Sequence, residues 1–107
     1  MPRELKFRAW NHELQIMMPS VDLSQPLQSY KWLGRNDYPI MQYTGMKDKN
    51  DVEIYEGDIV EGYTQYGIKI LVVKFQGFGW YPFSIGLMDN NKSKVLGNIY
   101  QNKDMIH

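Results

Sequence analysis

Five acidic side chains stand close together in the middle of the sequence. Residues 47–58, KDKNDVEIYEGD, hold five carboxylates against two lysines. The acidic residues are Asp48, Asp51, Glu53, Glu56 and Asp58. Carboxylates at such short spacing can bind calcium, or can serve as the acid and base of a glycoside hydrolase. This segment is therefore the first place to look for chemistry.

The spacing does not fit the calcium loop of an EF-hand. A loop that began at Asp48 would need an oxygen ligand at its fifth position, glycine at its sixth and glutamate at its twelfth. The chain has Val52, Glu53 and Ile59 at those positions. We therefore predict a solvated turn and no metal site.

Two carboxylate pairs, Glu53 with Glu56 and Glu56 with Asp58, are candidates for acid–base catalysis. Such a pair needs an apolar pocket that raises the pKa of one carboxyl above that of the other, and nothing in the sequence supplies one. Asp58 follows a glycine, where an aspartate commonly accepts hydrogen bonds from the backbone amides of a turn. We favour this structural role.

Other catalytic residues are scarce. The chain has no cysteine, and its two histidines, His12 and His107, fall in a predicted turn and at the last position. Residues 77–79, GFG, precede a predicted strand instead of a helix, so they lack the helix N-terminus that would bind phosphate. We expect neither an enzyme nor a cofactor, and no small-molecule substrate is evident.

The elements that must position these residues are predicted to be strands, because the dominant hydrophobic period is two. The predicted strands are LKFRAW (5–10), LQIMM (14–18), IMQY (40–43), VEIY (52–55), IVEGY (59–63), IKILVVKF (68–75), WYPFSI (80–85) and VLGNIY (95–100). Short strands separated by glycine-containing turns predict a mainly β fold, as a small antiparallel barrel or bent sheet, with an SH3-like form as the leading guess.

Residues 19–39 interrupt this pattern and are predicted to form an irregular insertion. Pro26 at a first helical position and Gly34 as a stop would suit one short helix inside it. The sequence leaves open whether that helix forms.

Composition narrows the class of protein. A chain of 107 residues is expected to form a single domain. Its 12 basic and 12 acidic residues cancel, which disfavours a purely electrostatic binder of nucleic acid or membrane. No stretch approaches the length of a membrane span, and the N-terminus has no apolar region of a signal peptide. A small protein that folds without cysteine, and so without disulfides, fits a reducing cytosol, and we expect a cytoplasmic protein.

Aromatic side chains suggest an interaction surface. They make up 14% of the chain, and several cluster around two adjacent predicted turns. The candidate surface consists of Tyr63, Tyr66, Phe78, Trp80 and Tyr81. If exposed, such rings could bind a peptide, stack on bases or join subunits; the alternative is that they fill the core.

A second candidate surface would bind nucleic acid. It is a basic and aromatic strip composed of Arg3, Lys6, Arg8 and Trp10, extended by Lys69 and Lys74. Lysine and arginine would contact phosphates and Trp10 would stack on a base.

Three blocks, LKFRAW (5–10), MQYTGMKDKNDVEIYEGDIV (41–60) and GNIYQN (97–102), resemble the YopX family of bacteriophage and prophage proteins. The resemblance implies a small, mostly β protein encoded by a phage and working in the cytoplasm of the bacterial host, and it carries over no catalytic residue. With it, we expect a non-enzymatic accessory protein that binds a protein partner or its own copies, with nucleic-acid binding as the alternative.

One position departs from the family pattern, which favours glycine after the asparagine of this turn. Here Asp51 follows Asn50. Glycine reaches positive φ freely, whereas aspartate does so at greater strain. We expect a turn that reverses the chain at a small cost in free energy.

Overall fold

The computed structural model describes residues 6–21 and 39–105. In this part of the chain the fold is mainly β, with antiparallel strands and two short 3-10 helices, which confirms the predicted fold class. The strands are β1 (Phe7–Asn11), β2 (Ile16–Val21), β3 (Ile40–Lys47), β4 (Glu53–Tyr55), β5 (Asp58–Thr64), β6 (Gly67–Val72), β7 (Lys74–Gln76), β8 (Gly79–Tyr81) and β9 (Lys94–Asn98). The 3-10 helices are Asn90–Lys92 and Lys103–Met105.

The chain divides into two compact units, Met1–Tyr43 and Thr44–His107. In the first unit β1 lies between β2 and the start of β3 and is antiparallel to both. The register places Trp10 opposite Met17 in β2. The neighbours on each side satisfy the backbone of β1, and its residues Arg8, Ala9 and Trp10, which alternate between the two faces of the sheet, are all buried.

The strands predicted over residues 5–10 and 14–18 are present as β1 and β2, and they pair as an antiparallel hairpin. Its turn is closed by the Asn11 side chain, whose Oδ1 accepts a hydrogen bond from the Leu14 amide at 3.0 Å. Gln15 takes a positive φ of 56° before β2 begins at Ile16. Asparagine side chains stabilise turns through such local bonds.

The predicted irregular insertion at residues 19–39 was wrong at its start. Residues 19–21 belong to β2, which continues to Val21. The short helix predicted between Pro26 and Gly34 lies outside the described residues.

The second unit is organised around β5. This strand lies between β6 and β9 and is antiparallel to both. Ile59 and Val60 point to opposite faces of the sheet, and both are 0% exposed. The sheet is therefore covered on both faces at this point of β5, the strand that was predicted over residues 59–63.

The core of this unit is a cluster of buried side chains from β4, β5, β8 and the segments between strands. Its members are Ile54, Val60, Val73, Trp80 and Met88. Gly62 makes room for one of them, because a Cβ at this position would lie 2.8 Å from the Met88 sulfur. Glycine at 62 therefore allows Met88 to pack directly on the β5 backbone.

The strand predicted over residues 68–75 is instead two strands that are separated at Val73. The Val73 amide donates to the Asp58 carbonyl at 2.8 Å, and its carbonyl accepts from the Gly57 amide at 2.8 Å. Its side chain is 0% exposed. The apolar run was visible in the sequence, but the pairing of Val73 with the turn at 57–58 was not.

The strand predicted over residues 80–85 ends early, at Tyr81. Pro82 has no amide hydrogen, so it cannot continue a ladder as donor. Beyond it, the amides of Phe83 and Ser84 both donate to the Trp80 carbonyl, at 2.9 and 2.8 Å, and turn the chain.

None of the helices in the described ranges combines the length and apolar character needed to cross a membrane. The SH3-like form and the single domain remain predictions.

The turn at Asp51 provides a test of backbone strain. Asp51 has a φ of +66°, as expected for a residue standing where the family favours glycine. We expect Asp51→Gly to raise the free energy of unfolding by about 0.5 kcal/mol, because relief of left-handed strain outweighs the extra chain entropy of glycine. Equilibrium urea unfolding measures this change.

The matched control is Asp51→Ala, which keeps the strain. It also removes the exposed ion pair between Asp51 and Lys47, whose atoms lie 3.6 Å apart. The alanine variant should be less stable than the wild type. A glycine variant that is also less stable would show that the turn is not strained.

Candidate functional site

Asp48 is the most constrained carboxylate of the acidic segment. It is 5% exposed. Its Oδ1 accepts hydrogen bonds from the amides of Asn50 at 2.8 Å and Val52 at 3.0 Å, and its Oδ2 accepts from the amide of Val95 at 2.8 Å. One side chain therefore closes the turn at 48–52 and connects it to β9.

The electrostatics of Asp48 favour its charged form. Burial raises the pKa of the carboxyl. Hydrogen bonds from the amides of Val95, Val52 and Asn50, together with the charge of Lys49, lower the pKa by more than burial raises it. The pKa of Asp48 therefore lies below the ordinary value of 3.8. Hydrogen bonds to the ionised form have this effect in general. A carboxylate held in this way is a poor general acid at neutral pH.

Backbone contacts reinforce the connection that Asp48 makes. The Lys49 amide donates to the Ser93 carbonyl at 2.9 Å. The Asn90 side chain donates its Nδ2 hydrogen to the Lys47 carbonyl, also at 2.9 Å. Hydrogen bonds from Asn90 and Val95 and to Ser93 thus connect the acidic turn to residues 90–95.

Asp58 has the structural role predicted for it. It is 1% exposed, and its Oδ2 accepts a hydrogen bond from the Tyr55 amide at 2.7 Å. This bond closes the tight connection between β4 and β5. Among residues 6–21 and 39–105, no group of three or more acidic or histidine side chains is arranged to hold a metal ion.

The predicted aromatic surface is split between solvent and core. Three of its rings are exposed: Tyr63 at 71%, Tyr66 at 72% and Phe78 at 106%. Tyr81 is half-buried. Trp80 is 7% exposed and belongs to the core, and its ring stands at 76° to that of the exposed Phe75, with 5.1 Å between the ring centroids. The five rings therefore do not form one exposed surface.

The exposed tyrosine of β5 has apolar neighbours that the sequence did not reveal. Tyr63 lies opposite Ile68 in β6, and Ile70 follows on the same side of the sheet, opposite Glu61. Ile68 is 56% and Ile70 is 47% exposed. We call Tyr63, Ile68 and Ile70 the hairpin face. Isoleucines in an apolar run are usually taken as core, so no local signal marked them as exposed.

The tip of this hairpin is fixed by Thr64. Its Oγ1 donates to the Gly67 carbonyl at 2.8 Å and accepts from the Tyr66 amide at 3.0 Å. The hairpin face is therefore presented by a regular, locally braced element.

Two of the five described members of the predicted nucleic-acid strip are buried, and Lys69 and Lys74 are exposed. Trp10 is 3% exposed and Arg8 is 9% exposed. Lys6 lies 5.3 Å from the centroid of the Tyr43 ring, and Lys74 lies at the same distance from that of Tyr81. Arg3 lies outside the described residues. Residues 6–10 and 69–74 also fall in different units.

Comparison with known families identifies this chain. The family described as YopX protein matches residues 6–107. The chain belongs to the YopX family. The matched range includes both the Asp48 site and the hairpin face, so these features belong to the YopX part of the chain.

A solved structure has a fold similar to that of this YopX chain. The crystal structure of protein EF1440 from Enterococcus faecalis is similar to this chain with a TM-score of 0.70 and 23% sequence identity. The similarity covers 99% of this chain and 100% of that one. At this identity it concerns the fold alone. A comparison with the curated proteins gives no match.

Replacing Asp48 tests whether its carboxylate organises the turn. We expect Asp48→Asn to lower the free energy of unfolding by about 2 kcal/mol, because an amide cannot accept all three hydrogen bonds and leaves a buried backbone N–H without an acceptor. Urea unfolding measures the loss.

Asp89 provides the matched control. It is exposed, and its Oδ1 accepts one hydrogen bond, from the Asn91 amide at 2.9 Å. Asparagine retains an equivalent oxygen, so Asp89→Asn should change stability by less than about 0.5 kcal/mol. Equal losses in the two variants would contradict the role given to Asp48.

Acid should remove the contribution of Asp48. Because its folded pKa lies below the ordinary value of 3.8, the unfolded chain binds the proton more readily. The contribution is therefore fully present above that value and is lost as the pH falls through the folded pKa. Stability measured stepwise from neutral to acidic pH should fall less in Asp48→Asn than in the wild type. Parallel pH profiles would contradict this linkage.

Proposed function

We propose that this YopX protein is a non-enzymatic accessory protein of a bacteriophage or prophage, working in the cytoplasm of the bacterial host. It acts as an interaction module that binds a protein partner or further copies of itself. The observation that carries this proposal is the hairpin face, where three large side chains of a regular sheet are exposed together.

The hairpin face has the chemistry of a protein interface. Tyr63 offers a large apolar ring with a polar tip and few rotatable bonds, which makes it a favourable contact residue. Ile68 and Ile70 extend the contact along the neighbouring strand. Apolar side chains exposed in a contiguous group commonly mark an interaction site.

The non-enzymatic part of the proposal is supported by how the acidic segment is used. Asp48 and Asp58 are buried, and both accept hydrogen bonds from backbone amides. Their carboxylates therefore maintain turns, which accounts for two of the five acidic residues of this segment, including Asp58 from one of the two candidate acid–base pairs.

Nucleic-acid binding has less support than protein binding. The burial of Trp10 and Arg8 removes the stacking residue and one cation from the predicted strip. The chain as a whole has no net charge, whereas phosphate binding depends on an excess of positive charge.

Affinity capture from a lysate of the bacterial host tests the interaction module. The test variant is Tyr63→Ser with Ile68→Ser. The control is Leu14→Ser with Ile85→Ser, since these side chains are 66% and 67% exposed but lie outside the hairpin face. Nuclease treatment before capture separates protein partners from nucleic acid.

After nuclease treatment, we expect the wild type and the control to capture the same host protein, or the same amount of purified chain that has been added to the lysate. The hairpin variant should lose most of it, because its contact side chains are gone. Equal capture by all three proteins would contradict the proposed surface. Capture that nuclease abolishes in every case would favour nucleic-acid binding.

A further inference from the structure

The β6 strand has a neighbour on one side only. Within the described part of the chain, it pairs with β5, and no strand pairs with its other edge. The strand GIKILV has apolar and β-branched side chains at most positions and a single charge, Lys69. An edge of this kind can add an extended strand through main-chain hydrogen bonds.

We propose that the occupant of this edge is the β6 strand of a second copy of the chain, paired antiparallel about a twofold axis at Ile70. This inference rests on the proposed function and names the partner. A twofold interface must be self-complementary, so each residue of the strand must suit the residue that symmetry places opposite it.

The sequence of β6 meets this requirement about Ile70. The axis brings Ile70 opposite Ile70 of the second copy, Ile68 opposite Val72, and Lys69 opposite Leu71. The pairs on the Ile70 side are all β-branched, a combination that stabilises neighbouring strands. On the other side the alkyl part of Lys69 can lie along leucine while its ammonium group stays in water.

Charge disfavours one neighbouring register, and the end of β6 disfavours the other. An axis at Lys69 would place two lysines directly opposite each other, which destabilises a pair of strands. An axis at Leu71 would place Lys69 opposite Val73, which lies beyond the end of β6 and whose side chain is 0% exposed. The register at Ile70 uses β6 alone.

The same register extends the hairpin face across both copies. Tyr63 lies opposite Ile68 within one chain, and Ile59 lies opposite Val72. Pairing Ile68 with Val72 of the second copy therefore joins these residues into one apolar row. Glu61 and its symmetry mate are separated by three strand spacings, roughly 14 Å, beyond the Debye length of about 8 Å at physiological salt.

The test is the oligomeric state of the full chain, measured by sedimentation equilibrium from low micromolar to millimolar concentration. We expect the wild type to form a dimer. Ile70→Lys places like charges opposite each other, and we expect it to raise the dimer dissociation constant at least about tenfold. Ile85→Lys makes the same change at a 67% exposed side chain outside β6 and should dimerise like the wild type.

Mixing Ile70→Lys with Ile70→Glu tests the register itself. Each variant alone should be monomeric, and the mixture should form a heterodimer, because opposite charges then face each other across the axis. A wild type that stays monomeric at every concentration overturns the proposal, as does a mixture that stays monomeric. If the wild type is monomeric while capture of another protein still depends on Tyr63, self-pairing fails and the interaction module stands.

Discussion

The second unit depends on one buried carboxylate. The Asp48 carboxylate accepts three hydrogen bonds from backbone amides, two within its own turn and one from Val95 in β9. The residues it joins are far apart in sequence, so the bond to Val95 fixes a long-range contact that local turn preference could not. An ionised carboxylate can be buried only when its lone pairs are satisfied, and the three amides do so here.

The strands next to this turn are also held by hydrogen bonds to an aspartate, Asp58. Asp58 satisfies the Tyr55 amide, and the Asp58 carbonyl accepts from Val73. The tight connection at 55–58 therefore holds β4, β5 and the end of β6 in place. Within this frame the core side chains pack around Val60, and Gly62 allows Met88 to approach the backbone.

Local patterns predicted the elements of this fold, but not the contacts between distant ones. The alternation of apolar and polar residues predicted β1, β2 and β5. The residue after Asn50, where the family favours glycine, predicted the strained turn at Asp51. The break at Val73 was missed because it depends on Asp58. The exposure of Ile68 and Ile70 was missed because an apolar run looks the same whether or not another layer covers it. Trp80 was a candidate for an exposed aromatic surface, with the core as the alternative, and it lies in the core.

The interruption at Val73 also bears on how the protein avoids aggregation. The run IKILVVKF, residues 68–75, combines high β-propensity with low charge and no proline, which is the composition of segments that stack into amyloid. Turning Val73 into the core divides this run into two short strands and shields its centre. A shorter strand offers fewer main-chain groups to another chain, so the bond between Val73 and Asp58 limits the length of this run that can pair as one edge.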